Sequence, residues 1–350
     1  MAPTPAEVKM TYRFLGNSGL LVSKLSLGSW MDVTDNYTAD AWYDMMKLAF
    51  EHGVNFFDNA EVYGSGLAER NMGAAIKKGI TEGTWGREDL VISTKIFFGL
   101  DPMHSGPNAL GLSRKHIIEG AKASLKRLDQ DYVDVIFCHR PDPFTPVEET
   151  VRAMNFVIDQ GWAFYWGTSQ WSAAQIIEAC EVADRLGLVR PIVEQPVYSL
   201  LDRNKVEFEY VDLYKKYKLG LTTWSPLAYG ITGKYSAGTP EGSRKESALS
   251  VTFTADFAER VTKADKLKPL CEKLGISMLE LALAWCVSNE NVSTVMIGAK
   301  TLTQLEQNLK ALQFVDKITP EIKAEIDELV PLVPELGQSD GTEALRAQHL

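Results

Sequence analysis

Cysteine is scarce in this chain. Only Cys138, Cys180, Cys271 and Cys286 occur, widely spaced and without a Cys-x-x-Cys pair. That speaks against a disulfide framework or a zinc site and points to a reducing compartment. Blocks of Lys and Arg are missing too. The formal net charge is −10 and the pI near 5.2, so nucleic acid is not an expected partner. No apolar run approaches the roughly 18 residues of a membrane helix, and no membrane insertion is expected. "MAPTPAEVKMTYR" at the start lacks the apolar core of a signal peptide. These absences predict a cytoplasmic protein. No Pro/Ser-rich linker divides the chain, and no Gly-x-Gly-x-x-Gly stands between a strand and a helix. The second absence counts against a doubly wound dinucleotide-binding domain.

What is present is a chain of 350 residues, 45% of them hydrophobic, ample for a large core. "TYRFLG" and "LLVSKLSLGS" flank the turn signal "NSG" and predict a small hairpin cap. A repeated pattern of short apolar strand, loop and amphipathic helix follows. The predicted strands are 25–29, 55–60, 90–97, 132–140, 164–169, 192–198, 221–227 and 293–299. Helical patterns separate them. "SRKHIIEGAKASLKRL" (113–128) opens on a capping Ser, and "SAAQIIEACEVADRLG" (172–187) runs from Ser to Gly. Eight strands alternating with helices predict parallel pairing and a single closed (β/α)8 TIM barrel over the whole chain, its ordered core at about 12–330. The long polar, Gly-rich stretch 228–257 predicts a functional loop. Little order is expected in the tail, 331–350.

In such a barrel the C-terminal strand ends meet at the active face. Those ends carry Ser29-Trp30, Asp58, Lys95, His139, Ser169-Gln170, Gln195, Trp224-Ser225 and Gly298. Barrel interiors are normally filled by Val, Ile and Leu, so a carboxylate, an ammonium, an imidazole and two amides on one rim call for a reason. Buried Asp and Lys seldom persist unpaired, and Asp58 and Lys95 sit on neighbouring predicted strands. Tyr63 follows Asp58 in "NFFDNAEVYGSGLAER". A phenol is a poor acid near neutrality, and an adjacent ammonium lowers its pKa. The set reads in two ways. Asp58 and Lys95 form a structural ion pair beside a rim aromatic, or Tyr63 is a general acid tuned by Lys95, Asp58 and His139.

The quartet Asp58, Tyr63, Lys95 and His139 resembles the catalytic tetrad of the aldo-keto reductases. "GLSRKHIIEG", "YVDVIFCHRPDPFTPVEETVRAM", "YWGTSQWS" and "TWSPLAYGITGKY" resemble the cytoplasmic β subunits of Shaker-type potassium channels and their microbial and plant relatives. The resemblance runs from about Tyr12 to about Leu329. It implies NADPH-dependent reduction of an aldehyde or ketone, with the cofactor extended across the barrel mouth. Asp58, Ser29 and Trp30 would border the cofactor. Ser169, Gln170 and Gln195 would hold its carboxamide, and Trp224 would stack on the nicotinamide. Ser225, Pro226, Leu227, Gly230 and Lys234 would line the pyrophosphate. Gly298, Arg244, Lys300, Gln304 and Asn308 would surround the adenosine end, where the cations suit a 2′-phosphate. Trp30, Tyr63, Phe98, His139 and Trp171 would wall an aromatic substrate pocket.

The sequence departs from the channel subunits at three places. His139 stands where they carry Asn, Gln170 where they carry Arg, and Phe98 where they carry a Trp. A histidine at that position is the usual choice among the reductases. The resemblance also implies a homotetramer and, as the alternative function, a redox-sensing regulatory partner for a channel's cytoplasmic domain. With so few residues before Tyr12, the N-terminal inactivating device of the animal subunits is not expected.

Overall fold

The computed structural model describes residues 10–30, 37–232, 257–335, 337 and 341–350. Lys234 and Arg244, and with them most of the predicted 228–257 loop, lie outside the described residues. Strands β1 (Tyr12–Phe14) and β2 (Leu21–Ser23) form an antiparallel hairpin. The next eight, β3 (Leu25–Gly28), β4 (Phe56–Asp58), β5 (Val91–Ile96), β6 (Val133–Cys138), β7 (Ala163–Ser169), β8 (Val193–Gln195), β9 (Gly220–Thr223) and β10 (Val292–Ile297), close into a barrel as β10 pairs in parallel with both β3 and β9.

Helices wrap the outside: α1 (Ala39–Glu51), α2 (Leu67–Glu82), α3 (Arg114–Leu128), α4 (Val147–Asp159), α5 (Ala173–Leu186), α6 (Val211–Tyr217), α7 (Phe257–Asp265), α8 (Lys268–Leu274), α9 (Met278–Ser288), α10 (Leu302–Lys310) and α11 (Pro320–Leu329). Their ends follow local chemistry. Ser113 accepts from His116 N to start α3. Ser172 and Gln175 form a capping box on α5, which stops at Gly187 in the left-handed region.

Side chains alternate in and out along each strand. Outward residues such as Leu27, Phe57, Ile92, Ile136 and Trp166 join the main core between barrel and helices. The inward residues Phe56, Val91, Val135, Phe137 and Val193 form a second core with Leu15 and Val22 of the hairpin. The hairpin therefore plugs the barrel floor. Gly16 makes this approach possible: at φ +58, a Cβ there would lie 2.0 Å from the Ile192 carbonyl oxygen. Midway up, Gly167 faces inward where a Cβ would meet Val193 at 2.5 Å and Phe137 at 2.9 Å.

In the tail, for which the sequence predicts little order, a short helix, α12, spans Glu343–Ala347. Its Arg346 lies 3.4 Å from buried Asp142 and donates to the carbonyls of Pro107 and Leu110.

Candidate active site

The inward register that fills the floor with apolar groups carries polar ones upward to the mouth. On β4, Phe56 gives way two residues later to Asp58. On β5, Val91, Ser93 and Lys95 point inward in turn. On β6, Phe137 is followed by His139 just past the strand end.

Asp58 and Lys95 are almost completely buried and form an ion pair. Ser93 Oγ donates to Asp58 Oδ1 at 2.7 Å, and Gln195 Nε2 approaches the same oxygen at 3.3 Å. Lys95 Nζ also donates to the Asn59 carbonyl at 2.8 Å and to Tyr63 OH at 3.1 Å. Every proton of the ammonium thus has an acceptor, the condition under which a buried charge is tolerable. Tyr63 opens the single-turn segment Tyr63–Gly66, in which Gly64 and Ser65 both take left-handed conformations. Its ring lies under the Lys95 ammonium, 4.7 Å from centroid to Nζ, and meets His139 edge-on at 5.7 Å.

The acidity of Tyr63 differs from the sequence expectation. Burial pushes the phenol above its ordinary value, and this outweighs the opposing pull of Lys95. Adjacency to an ammonium was legible in the sequence, but full desolvation was not. The consequence is a phenol protonated across the neutral range, with Lys95 positioned to stabilise the phenolate once the proton leaves. His139 goes the other way. Burial first, then the charges of Arg140 and Lys95, hold it well below the usual imidazole value, so it is neutral at pH 7. Phe98 packs edge-on against His139 at 4.9 Å.

The predicted cofactor residues fall into three places. Ser29, Ser169, Gln170 and Gln195 stand around the tetrad: Ser29 N donates to the Asp58 carbonyl and Ser169 Oγ to the Gln195 carbonyl. Trp224 sits past β9, edge-on to Trp30 at 6.4 Å, and leads into Ser225-Pro226-Leu227 and Gly230. Ser225, Ala228 and Tyr229 are non-glycine residues with φ of 56, 47 and 60°. Such conformations cost about 1 to 3 kcal/mol each and cluster at functional loops. Gly298, Lys300, Gln304 and Asn308 gather where β10 leads into α10: Gln304 Oε1 accepts from Lys300 N and Asn308 Nδ2 donates to the Gly298 carbonyl.

Whether this mouth suits a bound dinucleotide can be tested on its unmet polar atoms. Ser29 Oγ, His139 Nδ1, Gln170 Oε1 and Trp171 Nε1 are buried without a hydrogen-bond partner. Buried polar atoms are rarely left so. Ser29, His139 and Gln170 follow directly on the C-terminal ends of β3, β6 and β7, and three unmet polar atoms there, two on predicted cofactor residues and one on a predicted substrate residue, fit a ligand that offers both donors and acceptors.

Sequence reasoning overlooked several groups. Arg140 is buried beside the site and donates to the His139 carbonyl; its signal was its place immediately after His139. Glu61 accepts from the amides of Phe97 and Gly99 at 2.8 Å each and so fixes the bend that presents Phe98. Glu194 is the one charge inside "IVEQPVY", and nothing local shows what it meets.

Comparison with known proteins agrees with this barrel fold. The aldo/keto reductase family model matches residues 24–331, and the chain belongs to that family of NAD(P)H-using oxidoreductases. Among its relatives, proteins from Arabidopsis thaliana and Oryza sativa subsp. japonica are each 51% identical over 334 residues, covering 94% of this chain and 99% of theirs. One from Schizosaccharomyces pombe is 46% identical over 333 residues, covering 92% of this chain and 94% of its own. All three bear the name of voltage-gated potassium channel β subunits. Among the described residues no helix is long and apolar enough to cross a membrane.

Proposed function

We propose that this protein reduces an aldehyde or ketone to an alcohol with NADPH, and that Tyr63 is the general acid. The observation that carries this reading is the bond from Lys95 Nζ to Tyr63 OH, within an ammonium locked to Asp58. NADPH, when bound, supplies the hydride. The protein's own part is to protonate the carbonyl oxygen. Tyr63 OH is the donor, and Lys95 stabilises the phenolate left behind. Asp58 pairs with Lys95 and fixes it in place, supplying the counter-charge that a buried ammonium needs. His139, neutral and edge-on to Tyr63, orients the carbonyl through a ring nitrogen without competing for the proton. Trp30, Phe98 and Trp171 give the pocket an aromatic lining that favours apolar or aromatic carbonyls.

Ser169, Gln170 and Gln195 would hold the carboxamide and Trp224 would face the ring. Ser225 to Gly230 would take the pyrophosphate. Lys300, Gln304 and Asn308 would take the 2′-phosphate end, and Lys234 and Arg244, outside the described residues, are expected to add charge for the phosphates. The experiment is a titration of NADPH and NADH followed by a panel of aldehydes. Charge-assisted hydrogen bonds contribute roughly 1.5–3 kcal/mol each, so NADPH should bind at least tenfold more tightly and be oxidised by some member of the panel. Equal affinities, or no turnover with any carbonyl, would count against the reading.

A second reading has its own support in the names of the three relatives. The protein would assemble as a homotetramer on the cytoplasmic domain of a potassium channel and report the cofactor's redox state there. Co-purification with such a domain, with and without NADPH, tests it.

A further inference from the structure

Beside the mouth lies a buried carboxylate that the proposed reaction does not use. Glu61 stands between Asp58 and Tyr63 in the chain and is 2% exposed. Its Oε1 accepts from the backbone N–H of Phe97 and from that of Gly99, at 2.8 Å each. Both residues are buried and lie just past the end of β5. His116 Nε2, in the first turn of α3, is 3.2 Å from the same oxygen. One turn further along that helix is Gly120, where a Cβ would come within 3.2 Å of Glu61 Oε2, so the helix can approach the carboxylate only without a side chain there.

The two amides flank Phe98. One oxygen shared by the N–H groups on either side of a residue bends the chain around it, and Gly99 completes the bend at φ +63. The Phe98 ring is thereby set edge-on to both Phe97 and His139, 4.9 Å between centroids in each case. The backbone N–H of Glu61 separately donates to the Lys95 carbonyl at 3.2 Å. That second bond belongs to the main chain and survives any substitution at 61 other than proline.

We propose that Glu61 is a positioning residue that sets substrate selectivity: its side chain holds the Phe97–Gly99 bend so that Phe98 stands as a fixed aromatic wall beside His139, and this wall makes the pocket favour aromatic over small aliphatic aldehydes. The proposal rests on the reading that His139 orients the carbonyl and Phe98 lines the substrate pocket. An ionised acceptor binds N–H groups more strongly than a neutral one. Two buried N–H groups deprived of it would carry their full desolvation penalty, so the bend would shift toward water and release the ring. A wall ordered in advance spares an incoming aromatic ring the cost of ordering it. Lys95 meanwhile keeps its bonds to Asp58, Asn59 and Tyr63. The effect should therefore fall on KM for aromatic substrates and leave kcat near native.

The test compares E61L and E61Q with the native protein. Hydrogen exchange is read at the Phe97 and Gly99 amides, and kcat and KM are read for benzaldehyde and propanal with NADPH. In E61L both amides should lose roughly tenfold or more in protection. KM for benzaldehyde should rise roughly 3- to 10-fold, the worth of an aromatic contact, while KM for propanal changes little. E61Q retains a carbonyl oxygen for the two amides and should restore most of both properties. F98A should lower the same preference, and E61L added to F98A should lower it no further. Retained protection in E61L, equal rises in the two KM values, or additive losses in the double variant overturn the proposal. If the native protein turns over neither aldehyde, the reductase reading falls, and benzaldehyde binding followed at the Phe98 ring by NMR decides this one: weaker binding in E61L upholds it, and unchanged binding or none overturns it. Should E61L not fold, E61D keeps the charge but draws the oxygen back by one methylene. It should lower the benzaldehyde preference in the same direction, and an unmoved preference overturns the proposal.

Discussion

The floor and the mouth of this barrel are made by the same strands only a few residues apart. On β4, Phe56 belongs to the floor and Asp58 to the mouth; on β6, Phe137 and His139 stand in the same relation. The floor is closed by apolar contact and by the hairpin residues Leu15 and Val22. The mouth holds buried charge and several polar atoms with no partner. The floor minimises free energy through contact alone. The mouth keeps buried charge and unmet polar atoms at a cost in stability. One inward register serves both, so what separates them is height along the strand.

That contrast can be broken at either end. The largest effect expected is on chemistry: Tyr63→Phe should lower kcat by about 10²- to 10⁴-fold, the usual contribution of a general acid. NADPH affinity and melting temperature should stay near native, and near-native turnover would remove Tyr63 from its role. Asp58→Asn should damage both properties. It leaves Lys95 buried without its counter-charge, for which about 3 to 5 kcal/mol of stability loss is expected, and turnover should fall with it. Denaturant midpoints and single-turnover rates on the same sample separate the two.

At the floor, Phe56→Ala should cost a similar 3–5 kcal/mol by cavity formation yet leave turnover per folded molecule close to native. A floor variant that slows the chemistry would show that the two ends are not independent. Gly167→Ala probes the layer between them. A Cβ there meets Val193 at 2.5 Å, and overpacking of this kind costs about 1–3 kcal/mol. The smallest effect should be that of Arg346→Ala. Its partner Asp142 keeps the Leu112 amide and the Thr145 hydroxyl, so roughly 1 kcal/mol or less of stability should be lost, measurable as a small shift in the denaturation midpoint.

Much of this was legible before any coordinates. The strand predicted at 90–97 forms as Val91–Ile96, that at 132–140 as Val133–Cys138, and that at 293–299 as Val292–Ile297. Apolar runs bounded by turn residues carry that information locally. The meeting of Asp58 with Lys95 and Tyr63 was legible for a different reason: once a barrel is inferred, strand ends must converge. Phe98 entered only through the family resemblance, and its edge-on contact with His139 was not foreseen. Glu194 was not legible, because "IVEQPVY" shows an acid in a strand but not which face it takes. Its neighbours Thr168 and Tyr210 come from two other segments. Arg140 escaped notice because a cation beside "PDP" looks like solvated surface until its burial is known.

The sequence by itself therefore determined the alternation of strands and helices, the closed parallel barrel and the side chains at its rim, since periodicity, capping residues and turn signals act over neighbouring positions. Tertiary structure alone decided how those rim groups behave. The Tyr63 phenol is pushed up rather than down, His139 is held neutral, and Glu194 is raised toward neutrality. Each direction is a balance between desolvation and nearby charge, and both depend on distances across the barrel that no local stretch of chain contains.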